Sequence, residues 1–338
     1  MKTIALLVTL FIGSQCNAQR SDFVSINFKK ADSIALAYKG ENLKNLPELS
    51  FKLTSHLTTD VEKFRAIYKW VCDNIANDYK LYLKNEHKRQ RFKDDSLKLE
   101  NWNYEFKKLS FEKLLKKNRT ICTGYAYLVK ELASLANLTC EIVQGYGRTS
   151  MTNVDQLKLP NHSWNAVLLN EKWYLCDATW ASGIPNPETN LFQFHYNDGF
   201  FFPTPELFAI NHFPVENKWF LLEEKAQPTF EKFLEAPILY NEAYTYLNTH
   251  LEPKKLYTVV NKMETIRFSY QLVNSIDIQQ LHFLIDSGSG GKKTILKNVS
   301  IEGKLLTIDY SFEKKGFYDV HFMIGPHLIS TYTFDVKK

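Results

Sequence analysis

The apolar positions of this chain change rhythm twice. Val61, Phe64, Ile67, Tyr68, Val71 and Ile75 recur at three- and four-residue intervals, which predicts a helix with one buried stripe. Thr59 and Glu62 form a capping box in front of it, and Trp70 and Cys72, on or beside the stripe, belong to the core. A second helical run begins at Cys122 and carries Leu128, Val129, Leu132 and Ala133 up to Asn137, a residue tolerant of a left-handed cap. The period then shortens to two. Segments 140–146, 162–169 and 172–180 read as strands, and the short turn Asn170-Glu171 makes the last two an antiparallel hairpin.

The remaining pattern is coarser. Residues 19–55 read as helical with a break at Pro47. From 79 to 109 the pattern dissolves into charge, as in a long insertion bordering a cleft, and Ser110 is a candidate N-cap for a short helix carrying Leu114 and Leu115. Residues 180–222 read as aromatic coil wrapped over the sheet. Beyond residue 254 short alternating strands are expected at 266–272, 280–285, 304–312, 317–324 and 328–336. There Tyr318, two residues after Gly316, resembles the corner tyrosine of immunoglobulin-like sandwiches.

A length of 338 residues fits two domains, and 44% hydrophobic residues, with 24 Phe and 18 Tyr, can fill both cores. The net charge of +5 is spread along the chain, and its densest basic run, 84–93, is interrupted by Glu86 and followed by Asp94 and Asp95. It reads as a solvated helix face, so no nucleic-acid partner is expected. Lys2, the apolar stretch from Ile4 to Ile12 and Cys16-Asn17-Ala18 read as a leader cleaved near Ala18, which implies an exported chain. That stretch is too short to span a bilayer, and no later segment is apolar enough, so no transmembrane segment is expected. Cys72, Cys122, Cys140 and Cys176 remain, too few and too widely spaced for a disulfide framework. Metal-ligand spacings are missing too, so neither metal nor cofactor is expected.

Cys122 stands where its helix begins. Unpaired backbone N–H groups and the positive end of the helix dipole then point at its sulfur, the setting of a nucleophilic thiolate. The bland alternative is a packed thiol. The hairpin supplies partners. If Leu169 pairs with Lys172, Trp164 lies opposite Asp177, and strand alternation puts His162 on the same face as Asp177, as a diagonal neighbour about 7–8 Å away along the backbone. Cys176 falls on the other face. Thiol, imidazole and carboxylate are what acyl transfer needs: a nucleophile, a base that returns the proton, and a group that fixes the base.

The segments KFRAIYKWVCDNI (63–75), CTGYA (122–126), HSWN (162–165) and WYLCDATW (173–180) together resemble the transglutaminase-like superfamily. FPTPELF (202–208), HFP (212–214) and KWFLL (218–222) are similar to its kyphoscoliosis-peptidase branch. The resemblance covers residues 45–235 closely and the remainder in outline. It implies a papain-like α+β core followed by an immunoglobulin-like β-sandwich, with Cys122 as nucleophile, His162 as base and Asp177 as orienting acid. The expected organisation is a leader at 1–18, a helical segment at 19–58, the catalytic domain at 59–235, a linker at 236–253 and the sandwich at 254–338. Two departures stand out: Thr120 where relatives have glycine, and Asn77 where they have tyrosine. Asn101, Trp102 and Asn103 are upstream candidates for a second oxyanion donor, and nothing in their spacing selects one. The expected function is a cysteine acyl-transfer enzyme acting on protein or peptide amide bonds, a peptidase before a transglutaminase, with the sandwich as a surface for a protein partner. The alternative is a binding or scaffold protein on the same fold.

Overall fold

The computed structural model describes residues 20–185, 189, 191–288 and 290–338. The expected leader, 1–18, lies outside them. Helices α1 (Lys29–Ala37) and α2 (Leu46–Thr54) pack against α3 (Asp60–Asn74). Pro47 starts α2 and breaks nothing: it stands in the first turn, where its missing N–H has no helical partner to lose, and Asn45 caps the helix by accepting from the Glu48 N–H. The capping box of Thr59 and Glu62 is present in front of α3, and Trp70 and Cys72 are fully buried. Arg65 is buried as well, its charge met by Asp32 from α1 and by Asp198.

After α3 the short strand β1 (Ala76–Asn77) pairs in parallel with β2 (Arg119–Thr120). Between them the chain makes two helices, α4 (Tyr79–Phe92) and α5 (Ser96–Lys117), so the charged 79–109 region is helical on both sides of a turn at 93–95. Asp95, not Ser110, caps α5. Ser110 lies inside this helix, buried, with its hydroxyl 3.0 Å from the Thr120 hydroxyl. A side-chain partner there removes its preference for a helix end.

Helix α6 (Cys122–Leu135) lies on an antiparallel sheet of order β5-β4-β3-β8, made of β3 (Cys140–Gly147), β4 (His162–Leu169), β5 (Lys172–Cys176) and, much later, β8 (His212–Pro214). Tyr125, Leu128, Val129, Leu132 and Ala133 form its buried face. Each large apolar side chain so buried contributes about 1.5–3 kcal/mol. Asn165 of β4 ties helix to sheet by donating to the carbonyls of Ala126 (2.9 Å) and Glu141 (3.2 Å). The hairpin has the expected register, Leu169 opposite Lys172, with Asn170 and Glu171 both at positive φ (48° and 63°), as a tight turn between twisted strands requires. The strand expected to run to Trp180 ends at Cys176, because Asp177 caps a short helix α7 (Ala178–Ser182).

The aromatic stretch expected as coil holds β6 (Gly183–Pro185), β7 (Phe192–Phe194), α8 (Pro205–Asn211) and the strand β8, which pairs with β3. α9 (Phe230–Glu235) follows. The expected linker, 236–253, contains β9 (Ile238–Leu239), α10 (Ala243–Tyr246) and β10 (Leu247–Glu252). The C-terminal β region has two sheets. In one, β10, β12 (Ile266–Leu272), β16 (Leu305–Tyr310) and β15 (Asn298–Glu302) run antiparallel. In the other, the order is β11 (Tyr257–Asn261), β18 (His327–Lys337), β17 (Gly316–Ile324), β13 (Leu281–Asp286), β14 (Lys292–Ile295), with β9 also on β18 and β11 parallel to it. The sheets meet through Phe268 on Phe283 (ring centroids 4.7 Å apart) and Tyr270 on Phe322 (4.7 Å). The Tyr318 hydroxyl donates to the Lys314 carbonyl (3.0 Å), the bond a corner tyrosine makes. The whole is α+β, with an antiparallel β region at the C-terminus. One continuous hydrophobic core runs from Phe23 to Val336.

Candidate active site

Cys122 is the first residue of α6, and the residue before it, Ile121, is extended and offers no capping side chain. The first N–H groups of the helix therefore have no side-chain acceptor there, and the dipole's positive end points past Cys122 into a cleft of about 390 Å³. His162, the first residue of β4, lines the same cleft. Gly147 on the neighbouring strand lets the ring sit close, since a Cβ there would lie 2.9 Å from the His162 Cβ. Trp180 stacks on the imidazole with ring centroids 4.7 Å apart and planes 19° off parallel.

The fold brings His162 and Asp177 together: Nε2–H of the imidazole donates to Asp177 Oδ2 at 2.6 Å. The other ring nitrogen is left for Cys122, which lines the same cleft and favours the protonated imidazole. Asp177 is fully buried, yet every contact favours its charge. Oδ1 accepts from the N–H groups of Thr179 (2.8 Å) and Trp180 (3.2 Å), and Oδ2 accepts from His162 and, at 3.1 Å, from Nε2–H of His212. Burial raises its pKa, but the His162 charge and these bonds outweigh burial and hold it well below the carboxylate range. Burial likewise works against charge on His162, and the Asp177 carboxylate, together with the bonds to Asp177 and Cys122, overcomes it and lifts the imidazole to about 10. The neighbour His212 goes the other way. Burial, stronger than its bond to Asp177, lowers it to about 4, so it is neutral.

The three other thiols, Cys72, Cys140 and Cys176, are buried, unpaired, and pushed up by desolvation. Cys176 faces the core away from Asp177's carboxylate, as strand alternation predicts. Thr120 is buried against Gly124, whose absent Cβ would stand 2.0 Å from the Thr120 Oγ1. The bulk of Thr120 is thus matched inside this chain by a glycine in the first turn of α6. Of the upstream donor candidates, Asn103 lines the cleft, whereas Trp102 Nε1–H donates to Asn85 (3.0 Å) and holds α5 to α4.

His212 was not singled out from the residue pattern. It arrives on a three-residue strand, and the only sign of it was its place in the HFP motif. Donor atoms of His162, Asp177 and His212 lie within 4.8 Å of one another, so these three could hold a metal ion, the one such group among the described residues. Their contacts are those of a proton-sharing chain: one carboxylate oxygen accepts from both imidazoles.

A transglutaminase-like superfamily model matches residues 47–178. Human kyphoscoliosis peptidase is 31% identical over 239 residues, 70% of this chain and 33% of that protein. Hillarin of Drosophila melanogaster is 24% identical over 234 residues, 65% of this chain and 26% of that one. A crystal structure of a TGase aligns at 15% identity with a TM-score of 0.26, over 46% of this chain and 34% of the other. The chain thus spans about a third or less of the length of these curated relatives. Residues 47–178 are a transglutaminase-like superfamily domain, and the chain is similar to the kyphoscoliosis-peptidase-like proteins.

Proposed function

We propose that this chain is an exported cysteine acyl-transfer enzyme that hydrolyses amide bonds in proteins or peptides. The observation that carries the reading is the file Cys122, His162, Asp177 at the floor of an open cleft, with the thiol at a helix start and the imidazole fixed by a buried carboxylate. In the first half-reaction His162 already holds the proton given up by Cys122, and Sγ adds to the substrate carbonyl carbon. The oxyanion that forms meets the free Cys122 N–H at the start of α6. The C–N bond then breaks, and the leaving amine takes its proton from His162, leaving a thioester. In the second half-reaction His162 takes a proton from water, the hydroxide adds to the thioester carbonyl, and the C–S bond breaks to release the acid and the thiol. Asp177 stays ionised and keeps Nε2 protonated throughout.

An amine in place of water would give transamidation. A glutamine-containing peptide incubated with the protein and a labelled amine separates the two. Release of peptide fragments or ammonia without label incorporation is expected. Incorporation without hydrolysis overturns the hydrolase reading.

A further inference from the structure

The wall of the cleft opposite His162 is built by the α4–α5 pair. Tyr82, Asn85 and Arg89 share one face of α4 at helical spacing, and Asn103, Phe106, Lys107, Ser110 and Phe111 share one face of α5. Both faces converge on Cys122. Arg89 also closes one end, since Nη1 donates to the Pro160 carbonyl (2.7 Å), while its neighbour Gln90 donates to the Gln156 carbonyl (3.0 Å).

The charge of this wall is one-sided. Arg89 and Lys107 are its two cations, and no Asp or Glu is among the residues lining the cleft. The nearest carboxylate along α4, Glu86, accepts from Gln90. Among the described residues neither Arg89 nor Lys107 has an ion-pair partner: Arg89 is held by a neutral carbonyl and Lys107 lies 6.0 Å from the Phe111 ring. The Arg89 Nε is buried with no acceptor at all. A buried guanidinium N–H without an acceptor is costly, and a carboxylate satisfies it best, through paired N–H···O bonds. The α6 dipole adds further positive potential in the same space.

We propose that Arg89 and Lys107 form a carboxylate-binding subsite, so that the enzyme selects amide substrates carrying a carboxylate beside the reacting bond. The inference rests on the reading of Cys122 as nucleophile for its chemistry, but not for its binding. Two sources of that group fit, an acidic side chain or a free peptide C-terminus.

The full chain with Cys122→Ala, which cannot turn over, is titrated calorimetrically with acetyl-Ala-Glu-Ala-amide, acetyl-Ala-Gln-Ala-amide and acetyl-Ala-Gln-Ala with a free carboxylate. Expected is binding about tenfold or more tighter for whichever acid form the subsite uses, weakening with added salt. Arg89→Gln should bring the acid-to-amide ratio toward one. Lys107→Gln, an exposed position whose replacement leaves the fold intact, should lower the ratio severalfold and guards against a misfolded Arg89 variant. Equal binding of all three peptides, or a ratio untouched by both substitutions, overturns the subsite. Turnover by the wild-type chain is read separately: acid-selective binding without any acyl transfer keeps the subsite and removes the enzyme.

Discussion

The two halves of this molecule each bury a histidine in a polar cluster, and the clusters behave oppositely. In the C-terminal β region His250 shares a hydrogen bond with the Tyr332 hydroxyl (2.8 Å), which in turn meets Tyr270 (2.8 Å). Burial, reinforced by Lys254, lowers His250 to about 3, so it is a neutral strut between sheets. His162 is as deeply buried, yet it is lifted to about 10. The difference is a carboxylate held close, at 2.6 Å, with the Cys122 thiol beside the ring. Tyrosine hydroxyls satisfy an imidazole without charging it, whereas Asp177 both charges and orients it, and only the His162 cluster opens onto a cleft with a thiol. Burial alone leaves a histidine neutral, and the longer bond of His212 to the same carboxylate does not overcome it; at His162 the closer approach of the Asp177 oxygen, together with Cys122, does.

The sharpest way to break this contrast is Asp177→Asn, which makes the His162 pocket electrically like that of His250. We expect kcat/KM on a cleaved peptide to fall about a hundredfold to ten-thousandfold, and the His162 titration, followed by NMR, to drop from about 10. An unchanged titration would mean that Asp177 does not set the charge of His162.

Next in size are opposite pH slopes of stability. His162 has a folded pKa raised above the ordinary histidine value of 6.5, so its contribution is complete below 6.5 and is lost as pH rises through about 10. His250 has a folded pKa lowered from 6.5 to about 3: the unfolded chain takes the proton first, and its contribution is complete above 6.5 and lost as pH falls toward 3. Urea midpoints should show His250→Gln flattening the slope between about pH 4 and 6.5 and Asp177→Asn flattening it above pH 6.5, where the Asp177 carboxyl itself does not titrate. If both variants flatten the same side, the contrast is wrong.

A smaller effect tests the Thr120–Gly124 fit beneath Cys122. Gly124→Ala should cost about 1–3 kcal/mol, because its Cβ has no room against Thr120. Thr120→Gly in the same chain should recover most of that loss, and a double-mutant cycle measures the coupling. Additive costs would show that the two positions do not share space.

Much of the site was legible because turn length fixes register. A two-residue turn at Asn170-Glu171 admits one pairing, and His162 and Asp177 follow from it. The capping box of α3 was equally readable, being purely local. What escaped depends on distant chain. His212 reaches Asp177 from 35 residues away on a strand too short to show alternation. Helix α5 hid because its buried positions, Phe106, Ser110 and Leu114, are sparse among charges. In the C-terminal region β10, β11, β14 and β15 were missed: all four are edge strands, and β14 and β15 are only four and five residues long with no fully buried position. Pro47 misled because a proline marks a helix start as readily as an end.

The parallel pairing of β1 with β2 has a consequence for how this cleft can change. Ala76 lies beside Arg119, so the chain leaves for the α4–α5 excursion and comes back through a doorway one strand spacing wide, about 4.8 Å. Lengthening, trimming or exchanging that excursion leaves both doorposts where they are, and the closure entropy grows only with the logarithm of its length. The wall facing the thiol is therefore an exchangeable cassette on a fixed frame, free to be redrawn for new substrates while the residues behind it keep their places.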